Sequence, residues 1–100
     1  MAKFLVIYHG NGMPQGPEGA AQAKAAFGKW LGEAGKAVTD PGAPLKMVGQ
    51  VPSNSKDVPA VVNGYSIIEA ASAADALKLL ETHPFVARGG TLQVNEVLAI

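Results

Sequence analysis

The chain predicts an α+β domain whose elements run β-α-β-β-α-β, and three observations carry that prediction. A nearly unbroken apolar run, Phe4 to His9, opens the sequence. Two later stretches, each following a strand-like run, space their apolar residues at the helical period, and clusters of glycine and proline separate the elements. One hundred residues hold a single hydrophobic core, so residues 1–100 are read as one domain.

Residues 3–9 are β-branched and aromatic, and their apolar character does not alternate, so both faces of this first strand are expected to be covered. Glycines, Asn11 and Pro14 then make residues 10–16 a loop. Pro17 suits a first helical turn and Glu18 its positive dipole end. Ala20, Ala23, Phe27, Trp30, Leu31 and Ala34 form one stripe, and Gly35 supplies the stop.

Ala37 to Thr39 is a short strand, which Asp40-Pro41-Gly42-Ala43-Pro44 should end, with a small strand to follow over Leu45 to Val51. Pro52 to Asp57 is polar and turn-rich, and is expected to be the least protected stretch. Residues 61–70 give the next strand, strongest from Tyr65 to Ile68. Ser72 with Asp75 resembles a capping box that starts a second helix with a stripe of Ala73, Leu77 and Leu80. His83-Pro84 ends that helix, His83 favouring its negative dipole end. Gly89-Gly90 turns into a last strand, Thr91 to Ile100, with Leu92, Val94 and Leu98 on one face.

With two right-handed crossovers, this order gives the ferredoxin-like arrangement, a four-stranded antiparallel sheet with both helices on one face. The other face stays bare. A second copy packed about a two-fold axis covers it most simply, so a homodimer is expected. The low charge fraction, 16% against a typical ~25%, agrees with a surface used for self-association.

Eight basic and eight acidic residues cancel, which argues against a nucleic-acid footprint or an anionic membrane surface as partner. With no cysteine and two histidines, neither a disulfide framework nor a zinc site is expected, and no cofactor is implied. The opening run is too short for a membrane span and lacks a signal-peptide cleavage site, so a cytoplasmic location is expected.

His9 ends the first strand beside a glycine-rich loop, where an imidazole titrating near neutrality suits a general acid or base. The bland alternative is a histidine tied to a backbone carbonyl. Asp40 is its topological partner, because the first two strands run parallel and end at the same side of the sheet. The third strand lies between them, about 9.6 Å in all, so the two should flank a ligand or water rather than bond. For Asp40 the alternative is an Asx turn with Pro41 and Gly42. Tyr8, Gly10, Tyr65 and Ser66 complete the candidate ligand-binding set. Gly10-Asn11-Gly12 matches neither a P-loop nor a dinucleotide fingerprint. Trp30 is read as core.

Taken in order, Tyr8-His9-Gly10, the segment Gly64 to Ala70, the helix Ala73 to Leu80, His83-Pro84-Phe85 and Gly89 to Val94 resemble the YCII-related family over the whole chain. The resemblance implies a ferredoxin-like subunit, a dimeric α+β barrel and a proposed histidine/aspartate centre. An Asp-Gly-Pro-Phe signature found in one branch is absent, and residues 17–34 carry no histidine. Two function classes follow. One is a small-molecule enzyme of isomerase, lyase or hydrolase type, with His9 and Asp40 as its acid-base centre. The other is a non-catalytic ligand-binding or dimerisation module.

Overall fold

The computed structural model describes residues 1–10, 16–51 and 61–99. Its elements are β1 (Ala2–Gly10), α1 (Gly16–Ala34), a 3-10 turn (Gly35–Ala37), β2 (Val38–Pro44), β3 (Val62–Ala70), α2 (Ala73–Leu80), α3 (Pro84–Ala87) and β4 (Gly90–Glu96). The four strands form one sheet in the order β2-β3-β1-β4, every neighbouring pair antiparallel. Each strand-helix-strand unit thus skips one strand, the ferredoxin-like topology.

Alternate residues decide which face is which. Phe4 and Val6 on β1, and Ile68 and Ala70 on β3, form one buried cluster with Trp30 of α1 and with Ala76 and Leu80 of α2. Both helices therefore cover the same face of the sheet. Leu5, Ile7 and His9 point the other way and are only half-buried, so β1 has one packed face and one open face in the single chain.

Four expectations about strand extent and the α2 stripe are corrected. First, β2 does not stop at Thr39. It runs on through Pro41 to Pro44 with irregular register, because it is an edge strand whose outer side needs no donors, and because Gly42 takes a positive φ of 75°. Second, residues 45–51 form no strand. Leu45 donates to the Asn63 carbonyl at 2.9 Å, and the segment beyond is exposed. Third, α2 buries Ala76 and the expected Leu80, with Leu79 half-buried beside them, while Ala73 and Leu77 face outward. A two-turn helix fits either phase, and the sheet chose this one. Fourth, β4 ends at Glu96. Leu98 lies beyond it and is exposed.

Ser72 caps α2 as expected, accepting from the Asp75 amide at 3.2 Å, and Gly35 ends α1 at φ 60°. Within the α1 stripe, Gly19 takes the place expected of Ala20. Loop residues 11–15 and the Pro52 to Asp57 stretch lie outside the described residues.

Candidate functional site

The site grows from the end of β1. Tyr8 projects onto the helix-covered face, where the Tyr8 hydroxyl lies 2.8 Å from Ser66 Oγ and 2.8 Å from His83 Nε2. His83 stands just before Pro84, and a residue preceding proline is driven out of the helical region. At φ −65° and ψ 133° it becomes the N-cap of α3, with Pro84 in the first turn and the Phe85 amide donating to its Nδ1 at 3.0 Å. The expectation of a charged histidine at the end of α2 is thus corrected. His83 caps the following helix as a neutral acceptor.

These bonds fix every proton. Nδ1 accepts, so the neutral ring carries its hydrogen on Nε2 and donates to the Tyr8 oxygen. Ser66 donates to the Pro41 carbonyl at 2.8 Å, so it accepts from Tyr8. The chain of donation runs from the Phe85 amide to His83, to Tyr8, to Ser66 and to the Pro41 carbonyl. Among the described residues no buried side-chain nitrogen or oxygen lacks a partner.

Aromatic rings close around His83. Its centroid lies 4.5 Å from that of Trp30, 5.1 Å from Tyr8 and 5.5 Å from Phe27, and the residue is 2% exposed. Burial, with a lesser contribution from the Arg88 charge, pushes the imidazole pKa down to about 4. Burial likewise raises the Tyr8 phenol, against a smaller lowering by its bond to Ser66. Near neutral pH the pair is therefore a neutral imidazole and a phenol that keeps its proton. Such a phenol is a hydrogen-bond donor or an acid, not a base.

Tyr8 and His83 line a pocket of about 240 Å³ between α1, α3 and the β2–β3 pair. Phe27 and Phe85 give it apolar walls, Gly42 and Gly64 bring strand backbone to its floor, and Lys24 and Arg88 stand at its polar margin. Close backbone approach demands Gly42: a Cβ there would sit 1.7 Å from the Tyr65 carbonyl oxygen. Phe85 is held by a similar fit, its ring lying where a side chain on Gly90 would be.

The sequence-predicted residues fall on different sides of this site. Tyr8 and Ser66 belong to its hydrogen-bonded chain, while Tyr65 borders the pocket with its backbone and stands opposite Ile7 in the phase of the open face. The Gly10 carbonyl accepts from Asn63 Nδ2 at 2.7 Å, bracing the end of β1. His9 sits on the open face, bonded through Nδ1 to the Val61 carbonyl at 2.9 Å and through Nε2 to Gln93 Oε1 at 2.8 Å. These two acceptors, Gln93 foremost, raise its pKa.

Asp40 pairs in register with Ile67, which pairs with Leu5, four residues from His9. The two are separated by about 13 Å along the strands as well as two strand spacings across. The structure does not bring them to one end of the sheet, because β2 continues past the point where it was expected to stop. Asp40 Oδ1 accepts from the Gly42 amide at 2.8 Å, which is the Asx-turn alternative. Among the described residues no group of three or more His, Asp or Glu side chains is placed to hold a metal ion. His83 is the functional candidate that sequence reasoning missed. Its Pro84 and Phe85 signalled an N-cap, but nothing local signalled a contact with Tyr8, 75 positions away.

No family model matches the chain, and no curated protein matches it. The resemblance to the YCII-related family therefore rests on the residues quoted for it. Among solved structures the chain is similar to a 5-chloro-2-hydroxyhydroquinone dehydrochlorinase from Burkholderia phenoliruptrix, determined in complex with 2,5-dihydroxybenzoquinone. The TM-score is 0.61 at 17% sequence identity, over 98% of this chain and 95% of that one. The likeness establishes the shared fold. Among the described residues no helix is long and apolar enough to cross a membrane.

Proposed function

We propose that this protein is a small-molecule enzyme of the proton-transfer or elimination type, acting on a single-ring compound held in the Tyr8–His83 pocket. The observation that carries the reading is the neutral, fully directed hydrogen-bond chain that passes through a phenol on the pocket wall. Tyr8 can turn its proton from Ser66 toward a ligand oxygen as negative charge develops there, while His83 Nε2–H keeps donating to the phenol oxygen. Donors held ready in a partly dry site stabilise an oxyanion better than water does. His83 is a positioning residue in this scheme and Tyr8 the group that touches substrate. The fold neighbour's bound dihydroxybenzoquinone, a single oxygenated ring, lends the substrate size support.

Two copies are proposed to pack through the open sheet face, on which Leu5, Ile7, Tyr65 and Ile67 are half-buried in the single chain. Sedimentation should then give twice the 10.2 kDa of one chain. Ile7→Lys, which sets an unpaired charge in that face, should return it to the single-chain mass.

A second reading, a non-catalytic module, is favoured by one specific observation: Tyr8, Ser66 and His83 already have partners within the protein. A screen of oxygenated single-ring compounds by NMR separates a ligand site from a purely structural module, and turnover of a bound compound separates enzyme from binding module. The enzyme reading expects shifts confined to residues around Tyr8, Phe27 and His83, and a roughly tenfold loss of affinity in Tyr8→Phe. If no compound perturbs those residues, the module is the better account.

A further inference from the structure

We infer that Ser66 is a two-way hydroxyl switch behind Tyr8: it accepts the phenol's hydrogen bond at rest and turns to donate to the phenolate oxygen once the proton has left for the ligand. This role rests on the proposed proton transfer and adds the group that stabilises the charge left behind. Ser66 does not border the pocket, so it acts through Tyr8 and is a positioning residue.

Strand register places the switch. Tyr8 pairs with Gly64, so Ser66 is its diagonal neighbour on β3, within reach of an aromatic side chain. On the other side Asp40 pairs with Ile67 and Ala43 with Tyr65, so three steps along β2 match two along β3 and one residue is extra. Ser66 stands opposite that bulge. The Asx turn from Asp40 to Gly42 shapes it and leaves the Pro41 carbonyl 2.8 Å from Ser66 Oγ. A hydroxyl in a sheet core needs such a partner, and Ser66 is 2% exposed.

Charge sets the direction of the turn. With the phenol protonated, Tyr8 donates to Ser66 and Ser66 to Pro41. When Tyr8 gives its proton to the ligand, the phenol O–H bond breaks, a bond to hydrogen forms on the ligand, and the electron pair stays on the Tyr8 oxygen. That oxygen lies 2.8 Å from Ser66 Oγ and 2.8 Å from the His83 Nε2 donor. Rotation about the Ser66 Cβ–Oγ bond then exchanges a neutral bond to Pro41 for a charge-assisted one to the phenolate, roughly twice as strong. Pro41 is an exposed residue of an edge strand, where water can take over its carbonyl. The exchange is therefore downhill only while Tyr8 is charged. In agreement, the bond to Ser66 acts to lower the Tyr8 pKa against the larger effect of burial. A proton from water restores the phenol and turns Ser66 back.

The test is a fluorine NMR pH titration of the ligand-free whole chain carrying ring-fluorinated tyrosine, whose phenol ionises at lower pH than that of tyrosine. Tyr8→Phe identifies the Tyr8 signal, and Tyr65 is the internal control. Ser66→Ala should raise the Tyr8 pKa by roughly 0.5–1, because the phenolate loses a donor. Loosening of the core would admit water and lower it, so the sign separates the switch from a purely structural role. Ser66→Thr, which keeps the hydroxyl, should lie closer to the wild type than to the alanine variant. A Tyr8 pKa that falls or holds in Ser66→Ala, or a Ser66→Thr value closer to that of alanine, overturns the switch. Because no ligand is present, that result leaves the proposed function to stand or fall by the compound screen.

Discussion

The two faces of the sheet carry one histidine each, and the contrast between them shows what environment does to a single side chain. His83 lies among Tyr8, Phe27 and Trp30 on the helix-covered face, accepts from an amide, and has its pKa pushed down to about 4. His9 lies on the open face, donates toward a carbonyl and a side-chain amide oxygen, and has its pKa raised. Desolvation and a donor partner disfavour the imidazolium, whereas two acceptors stabilise it. The open-face position looked chemical because it borders a loop. The covered position makes the directed network, because a cap, a strand phenol and a pocket meet there.

The largest effect that can break this contrast lies on the covered face. Trp30→Ala should cost about 3–5 kcal/mol in urea titrations, since the indole is buried against His83 and Phe27. A loss below 1 kcal/mol would mean that the covered face is not a tight core. Gly42→Ala should follow at about 2–4 kcal/mol, because its Cβ collides with the Tyr65 carbonyl at an already positive φ. Unchanged stability there would show that β2 does not approach β3 so closely.

Acid sharpens the contrast next. His83 binds its proton at about pH 4 when folded and near 6.5 when unfolded, so between those values the unfolded chain holds the extra proton. Stability should therefore fall as pH drops from about 6.5 to 4, by roughly 2–3 kcal/mol after allowance for partial solvation, and His83→Gln should flatten that slope. His9 has the opposite sign. Its raised pKa adds stability below its unfolded value, and that contribution is lost as pH rises through the folded one. A slope that survives intact in His83→Gln would place its origin elsewhere. The smallest effect is local: Gln93→Leu should lower the His9 pKa toward its ordinary value in an NMR titration and leave His83 unmoved. Movement of both would mean that the faces are coupled through the sheet.

Local pattern was enough to read much of this molecule. The apolar strands, the α1 stripe, the Ser72 cap and the Gly35 stop are decided within a few residues, by side-chain period and by the backbone freedom of glycine. Their order then leaves few topologies, and the ferredoxin-like sheet is among them. What sequence misjudged was decided across the sheet. Proline and glycine at 41–44 read as a stop, yet an edge strand can carry them once Asp40 and Gly42 form the turn within it. That longer β2 moved Asp40 away from His9. His83 could be read as a cap, but its burial and its bond to Tyr8 exist only after α3 folds back over the end of β1. Sequence by itself determined the elements and their order, because those energies are local. The tertiary structure decided register, helix phase and the identity of the site, because each depends on contacts between residues far apart in the chain.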